Sequence, residues 1–384
     1  MYNGSLKSAV RVTLSNIPGW RTKRKIVVIE SDDWGSIRMS SLRAFDNLKT
    51  GGLPVDQSHY NIYDSLECDR DLECLYETLS KFKDKTGRHP VMTGVNVVAN
   101  PDFEKIREHD FTEYFYEPYT ETLKHYPEHA NVYNLWKQGI SKRYFVPVMH
   151  GREHLNVQFW MRALQRRNKY LMLGFENGVT GIPTRSVNGD IVPGVQAAFN
   201  IETVNDISYL KDVIKSASEL FEKLYGYRPR YFVPTNGYFN NVLEKDLYEV
   251  NVKYINTAKK QEEPLGNGQY QINTRFLGHR NVLGQIYLTR NCFFEPAATG
   301  FEVSASYDWL DYCLKEIEIA FKWHKPAIIS SHRVNYVGFL HPENRDVGLR
   351  MLSELLSRML KRWPDIEFMT SVELGDLICE NHEK

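Results

Sequence analysis

Short runs of almost uninterrupted apolar residues recur along the chain and alternate with segments of helical periodicity. The first run begins at residue 25 and is rich in Val and Ile. Strands that are buried on both faces have this composition, and they belong to parallel sheets covered by helices. The further predicted strands lie at residues 90–98, 144–150, 195–200, 230–234, 253–256, 285–289, 326–332 and 366–370. The alternation therefore predicts an α/β protein with a parallel sheet, either open or closed into a barrel.

The length of the chain is compatible with one large domain. Its 384 residues are many for an ordinary domain but normal for an α/β barrel with insertions, and no Pro/Gly/Ser-rich linker divides them. We expect a single domain over residues 25–380, preceded by a helical N-terminal extension over residues 1–24. That extension is weakly basic and amphipathic. We expect it to pack on the outside of the domain, with peripheral membrane contact as the alternative.

Composition restricts the classes of partner and the compartment. Lys+Arg and Asp+Glu both total 48, so the balanced charge gives no electrostatic case for nucleic-acid binding. No apolar run approaches the 18 residues of a membrane span, and the N-terminus lacks the apolar core of a signal peptide. The five cysteines are odd in number and form no Cys-x-x-Cys pair, which favours reduced thiols and a cytoplasmic location.

Polar residues that are suited to chemistry lie at the ends of three predicted strands. Asp32 and Asp33 end the first strand, and His150 and His332 end two later ones. Ligands bind at this edge of α/β folds. Adjacent carboxylates repel each other, and a buried carboxylate is costly unless it is paired or bound to a cation. A metal on one Asp relieves the repulsion and leaves the other as a base, whereas simple capping of a turn is the alternative interpretation.

A histidine pair strengthens the metal interpretation. His150 and His154 are four residues apart, which places them on one face of a helical turn. Two imidazoles and one carboxylate are a common open ligand set for zinc or a similar divalent ion. The pair alone is a weak signal, but its place at a strand end and the Asp pair upstream add to it. The residues therefore predict a divalent metal site.

These motifs, in this order, resemble those of the polysaccharide deacetylase family, also called carbohydrate esterase family four or NodB-like. That family has a strand ending in Asp-Asp-Gly, a His-x-x-x-His pair, a strand ending in Pro and Gly, an Asp-Trp pair and a strand ending in His. The corresponding segments, matched between residues 25 and 370, are 32–35, 150–154, 230–237, 308–309 and 328–332.

The resemblance implies a distorted (β/α)7 barrel of the glycoside hydrolase/deacetylase type, with parallel strands and long loop insertions. It implies a hydrolase that removes an acetyl group from an N- or O-acetylated sugar or glycan, in polysaccharide or glycoconjugate metabolism. By analogy Asp33, His150 and His154 bind the metal, with zinc favoured over cobalt, nickel, iron or manganese. Asp32 is then the general base and His332 the general acid.

The resemblance also implies a substrate side, with departures from the family pattern. Backbone N–H groups near Thr235 and Asn236 are expected to face the oxyanion, and Trp309 belongs to the Asp-Trp pair. Val233 stands where the family has the Arg that pairs with the base, so either Arg230 or Arg290 is expected to replace it. Further departures are Trp34, inserted before the Gly of the first motif, and Gly151, which stands in place of Ser or Thr.

Two alternative functions follow from the residues. The first is a carbohydrate-binding or regulatory protein on the same fold, with hydrolysis lost, and Val233 and the altered turns motivate it. The second is a metal-free glycosidase that uses two carboxylates, Asp32 with Glu176 or Glu295. That alternative leaves His150 and His154 without a role.

Overall fold

The apolar runs of the sequence form strands. The structure, a computed structural model, describes residues 13–183, 194–301 and 307–382. Its strands are β1 (Lys25–Trp34), β2 (Met92–Val97), β3 (Ala99–Pro101), β4 (Tyr116–Pro118), β5 (Phe145–Gly151), β6 (Tyr231–Phe232), β7 (Tyr254–Asn256), β8 (Lys260–Gly266), β9 (Gln269–Thr274), β10 (Ile286–Leu288), β11 (Cys292–Phe293), β12 (Ala327–His332) and β13 (Ile366–Phe368).

One parallel sheet organises the described part of the chain. Eight strands follow one another in the order β10-β7-β6-β5-β2-β1-β12-β11, and β13 pairs with the first residues of β1. Every strand pair in this sheet is parallel. Residues that follow β6 and β7 line the same cavity as residues of β12 and β11, so the sheet is curled. Its end strands β10 and β11 are not paired with each other, which makes it an open, distorted barrel and confirms the predicted fold class.

Helices pack around this sheet. They are α1 (Leu42–Thr50), α2 (His59–Tyr63), α3 (Asp69–Ser80), α4 (Phe103–Glu108), α5 (Tyr119–Thr122), α6 (Val132–Ser141), α7 (Val157–Gln165), α8 (Lys169–Glu176), α9 (Asp206–Tyr225), α10 (Glu244–Glu249), α11 (Trp309–Lys322), α12 (Pro342–Arg362) and α13 (Ser371–His382). The helix α9 shows why they form: its buried residues recur at helical spacing, and Gly226 ends it in the left-handed conformation.

The central strand β1 separates two layers of core. Val27 and Ile29 belong to the large core between sheet and helices, whereas Ile26 and Val28 belong to a core inside the curled sheet. Side chains alternate along a strand, so one apolar run supplies both layers. Residues of α13 join the inner core and fill the end of the barrel opposite the polar strand ends. The strands consequently present their polar ends to one open side.

Two segments differ from the sequence prediction. The predicted strand at 195–200 consists of turns, because side chains of Asn156 and Thr235 bind its backbone groups in place of a neighbouring strand. Residues 261–278, where the sequence indicates a polar loop and no strand, contain most of the hairpin β8–β9, whose turn Gly266-Asn267-Gly268 has positive φ throughout.

The N-terminal extension is described only from residue 13. Residues 13–15 are helical and residues 16–24 contain no helix, while the rest of the predicted extension lies outside the described residues. Lys325 Nζ donates to the carbonyls of Pro18, Gly19 and Trp20 at 2.6–2.8 Å, which ties this segment to the domain. Within the described ranges, no helix has the length and hydropathy that crossing a membrane requires.

Candidate active site

A bulge at the end of β1 places two adjacent carboxylates on one side. In a regular strand Asp32 and Asp33 point to opposite faces. Here the pairing with β2 shifts register between Ser31 and Trp34, and Asp33 has a φ of 77°. Both carboxylates therefore line the same cavity. Trp34 then returns to the core, where it packs edge-on against Phe145, so the extra residue of the motif is accommodated by packing.

A second bulge lies at the end of β5. Asn96 of β2 pairs with Met149 and Val97 pairs with Gly151, so His150 is left out of the register. Gly151 has a φ of 116°, and a Cβ there would lie 3.0 Å from the ring of Phe199. A side chain at this position is both strained and crowded. The departure from Ser or Thr at Gly151 thus has a local cause.

The three predicted metal ligands meet between these bulges. Asp33 Oδ1 lies 3.1 Å from His154 Nε2 and 3.6 Å from His150 Nε2. One ligand atom from each residue lies within 4.8 Å of the others, and all three side chains are buried. Burial raises the pKa of Asp33, but the neighbouring imidazoles of His154 and His150 outweigh it and hold the pKa well below its usual value.

The hydrogen bonds of His150 favour a cation at this cluster. Its Nδ1 donates to the carbonyl of Val233 at 2.7 Å, which leaves the lone pair on Nε2. That Nε2 is buried and has no hydrogen-bond partner among the described residues. A metal ligand that is oriented through its other ring nitrogen has this arrangement. The donor set of one carboxylate and two imidazoles fits a divalent ion such as zinc.

The second carboxylate, Asp32, forms a bidentate ion pair. Arg290 donates from Nη1 and Nη2 to the two oxygens of Asp32, each at 2.6 Å, and from Nε to Glu30 at 2.5 Å. Burial raises the pKa of Asp32, but Arg290 outweighs it and keeps the pKa below its usual value. Arg230 instead pairs with Asp376. Of the two candidate arginines, Arg290 is therefore the one that pairs with Asp32.

His332 at the end of β12 lies on the other side of Asp32. Its Nε2 is 3.9 Å from Asp32 Oδ2, and its Nδ1 donates to Glu295 at 2.5 Å. Glu295 accepts a further bond from Asn335 at 2.7 Å. Burial lowers the pKa of His332, but the charge and hydrogen bond of Glu295 outweigh it and raise the pKa to about 10. His332 is therefore a protonated imidazolium at neutral pH.

The remaining predicted site residues are distributed differently. Asn236 lines the cavity, with a φ of 52°. Thr235 is fully buried, and its hydroxyl accepts from the backbone of Ala198. Trp309 begins α11 inside the hydrophobic core and is not among the cavity residues, while Asp308 caps that helix. The structure thus does not bring the Asp-Trp pair to the site. Asp308 and Trp309 instead form the start of a helix, the first as its cap and the second as a core residue.

The cavity between these residues has a volume of about 760 Å³. Several of its lining side chains were not predicted as site residues, among them Arg38, Tyr60, Lys259 and Glu316. Arg38 and Tyr60 come from the long segment after β1, and Lys259 and Glu316 belong to none of the motifs. No spacing pattern in the sequence marks these four.

Comparison with protein-family models and with curated proteins finds no match. Solved structures give distant similarities. One is the 4-alpha-glucanotransferase from Thermococcus litoralis, at 11% identity and a TM-score of 0.43; the match covers 91% of this chain but only 39% of that one.

A proposed polysaccharide deacetylase from Mycobacterium smegmatis is 11% identical with a TM-score of 0.43, over 95% of this chain and 94% of that one. Puue allantoinase is 11% identical with a TM-score of 0.47, over 94% and 93%. Further polysaccharide deacetylases are among the structures found, the family that the sequence motifs resemble. Similarities at these TM-scores carry no argument about function.

The fold and the site define the class of protein by themselves. It is an open, distorted (β/α) barrel that carries a buried carboxylate and two imidazoles at the carboxyl ends of its strands. An arginine-paired carboxylate and a carboxylate-paired histidine flank that cluster in one cavity.

Proposed function

We propose that this protein is a metal-dependent deacetylase that hydrolyses the acetyl group of an N- or O-acetylated sugar. One observation supports this most strongly. A candidate base, Asp32, and a candidate acid, His332, face each other at 3.9 Å beside a cluster of three metal-type ligands. Metal-assisted acyl hydrolysis uses these three functions around one carbonyl group.

Asp33, His150 and His154 would hold the metal, with zinc as the first choice. When bound, such an ion polarises the acetyl carbonyl and lowers the pKa of the attacking water. The position of the cluster at the carboxyl ends of β1 and β5 leaves one side open to the cavity. The substrate enters from that side.

Asp32 takes the proton of the attacking water. Arg290 keeps its carboxylate ionised and fixes its orientation through two hydrogen bonds. The same ion pair lowers the basicity of Asp32, so the proton transfer to Asp32 requires that the pKa of the attacking water be lowered as well. A base positioned in this way contributes about 10²- to 10⁴-fold to the rate.

His332 gives its proton to the leaving group. As the C–N or C–O bond of the acetyl group breaks, the amine or hydroxyl oxygen of the sugar takes the proton from the imidazolium, and acetate is released. Glu295 accepts from Nδ1 of His332, which favours the protonated ring and orients it so that the Nε2 proton is the one available for transfer. The cavity of about 760 Å³ lies within the usual range for small-molecule sites and accommodates a sugar ring with substituents.

The two alternative functions receive less support. Both oxygens of Asp32 accept from Arg290, and both oxygens of Glu295 are occupied by His332 and Asn335, so neither carboxylate is free for a glycosidase. Glu176 pairs with Arg107 at an exposed site. Val233 and the altered turns motivated the alternative of lost hydrolysis, and the ion pair between Arg290 and Asp32 offers the arginine contact that Val233 cannot make.

The test is acetate release from a panel of N- and O-acetylated sugars. We expect turnover by the wild type, loss on chelation and recovery with zinc. Asp32→Asn should lower kcat by about 10²- to 10⁴-fold while the metal content is kept. A matched control is Asp376→Asn, which alters the ion pair with Arg230; the two side chains of that pair are 40% and 33% exposed. Absence of turnover on every sugar, or full activity of Asp32→Asn, contradicts the proposal.

A further inference from the structure

The cavity contains positive charge that its own carboxylates do not neutralise. Arg38, Lys259 and Lys260 line it, and none forms an ion pair with a carboxylate among the described residues. The other cations are already matched, Arg290 by Asp32 and Glu30 and the imidazolium of His332 by Glu295. The cavity therefore favours a ligand with negative charge beyond the acetyl group.

Arg38 is the best placed of these cations. Its guanidinium lies over the ring of Tyr60, 5.0 Å from the centroid, and the rings of Tyr60 and His332 meet edge-on with their centroids 5.5 Å apart. Its Nη1 donates to Gln196. A Cβ on Gly181 would lie 2.9 Å from Arg38 Cδ, so this backbone packs closely against the side chain. The guanidinium is thus held in one position beside the candidate acid.

The hydrogen-bonding edge of Arg38 is incomplete. Nε is buried without a partner in the described part of the chain, and of the other donors only Nη1 has an acceptor there. The edge formed by Nε and Nη2 is the one that binds carboxylates and phosphates in a bidentate manner. A buried Nε without an acceptor costs free energy, and an anionic group of a ligand bound at this edge lowers that cost.

We propose that Arg38 binds an anionic substituent of the substrate, so that the acetylated sugar is a sugar acid or a sugar phosphate. That the ligand carries an acetyl group rests on the proposed function, whereas the anion site at Arg38 does not. Carboxylate and phosphate share the oxygen geometry that the guanidinium fork accepts. Lys259 and Lys260 supply further positive charge to the same cavity.

The experiment compares kcat/KM for four acetylated sugars: N-acetylglucosamine, its 1-phosphate, its 6-phosphate and N-acetylmuramic acid. The quantity of interest is the ratio of an anionic sugar to the neutral one, because that ratio does not depend on the folded fraction of a variant. We expect the wild type to prefer an anionic sugar. Arg38→Gln should reduce that ratio roughly 10- to 100-fold, and Arg38→Lys should restore part of it.

Arg43→Gln is the matched control, since Arg43 lies on the exposed side of α1 and does not line the cavity. A phosphate preference identifies a sugar phosphate, and a preference for N-acetylmuramic acid identifies a sugar acid. An unchanged ratio in Arg38→Gln, or no preference in the wild type, overturns the proposal.

Calorimetric binding of the same four sugars separates this proposal from the proposed function. Preferential binding of an anionic sugar that Arg38→Gln abolishes supports the anion site even without acetate release, and then only the deacetylase assignment fails. Equal binding of charged and neutral sugars, or binding unaffected by Arg38→Gln, overturns the anion site whether or not acetate is released.

Discussion

At the scale of single residues, the candidate chemistry depends on two partners that move pKa values in opposite directions. Arg290 lowers the pKa of Asp32, and Glu295 raises the pKa of His332 to about 10. Burial acts against both shifts, so the partners decide the outcome. A carboxylate kept ionised beside an imidazole kept protonated forms a base and acid pair.

The first prediction concerns Glu295→Gln. Gln keeps a hydrogen-bond acceptor for His332 but removes the negative charge that raises its pKa, so the pKa of His332 should fall from about 10. Activity that needs the imidazolium should then be lost at a lower pH than in the wild type. The pH profile of kcat measures the shift of this alkaline limb. An alkaline limb that stays in place would show that His332 is not the acid.

The second prediction compares two arginine–aspartate pairs. Arg290 is 13% exposed in its side chain, whereas Arg230 and Asp376 are 33% and 40% exposed. Arg290→Lys should lower the free energy of unfolding by about 1.5–3 kcal/mol, because it leaves buried charged acceptors without donors. Arg230→Lys should cost less than about 1 kcal/mol, since water screens that pair. Urea unfolding of both variants provides the test, and equal losses would contradict it.

At the scale of elements, two bulges create the ligand cluster. They lie at the ends of β1 and β5, the two strands that flank β2. The bulge in β1 turns Asp33 toward Asp32, and the bulge in β5 takes His150 out of register. Bulges re-aim side chains next to active sites at a cost in regular pairing. The positive φ values of Asp33 and Gly151 belong to these two bulges.

The third prediction separates backbone strain from a specific role of the β5 bulge. Gly151 and Gly226 both have positive φ, but only at Gly151 would a Cβ meet a neighbour within 4 Å. Replacing either with Ala should cost about 1–2 kcal/mol of stability. Gly151→Ala should in addition weaken zinc binding, because it displaces His150, while Gly226→Ala should leave it unchanged. Zinc titration alongside urea unfolding checks both parts.

The sequence predicts strands and their polar ends better than the contacts between them. The alternation of apolar runs indicates the parallel sheet, and the order of Asp32, His150 and His332 along it indicates a shared edge. Bulges leave no periodic signal, so the side on which Asp33 lies is not predictable from spacing. The pairing of Arg290 with Asp32 joins residues 258 positions apart in the sequence. Only the folded structure shows that Arg290, and not Arg230, lies beside Asp32.

At the scale of the whole molecule, the cavity wall contains a carboxyl group that folding keeps neutral. Glu316 is 3% exposed, and burial raises its pKa from 4.5 to about 8. A group with a raised pKa contributes stability that is fully present below its unfolded value and is lost as the pH rises through its folded value. The loss for Glu316 therefore falls between about pH 4.5 and pH 8.

The fourth prediction is that Glu316→Gln removes this dependence. Gln resembles the neutral acid at every pH and still accepts from the backbone N–H of Phe293. The free energy of unfolding of the Glu316→Gln variant, measured relative to that of the wild type, should rise between pH 5 and pH 9. The rise should be on the order of 1 kcal/mol per pH unit over part of that range. Glu318→Gln, at a half-exposed position, is the control. A difference that does not vary with pH would contradict the account.

The most direct test of the central claim is the metal content of the purified protein, measured by elemental analysis beside Asp33→Ala. We expect about one divalent ion per chain in the wild type, zinc first, and its loss in the variant. Asp376→Ala, which removes a carboxylate outside the cavity, should retain the ion. A wild-type protein that holds no metal even after zinc is added, or an Asp33→Ala protein that holds as much as the wild type, would contradict the metal centre.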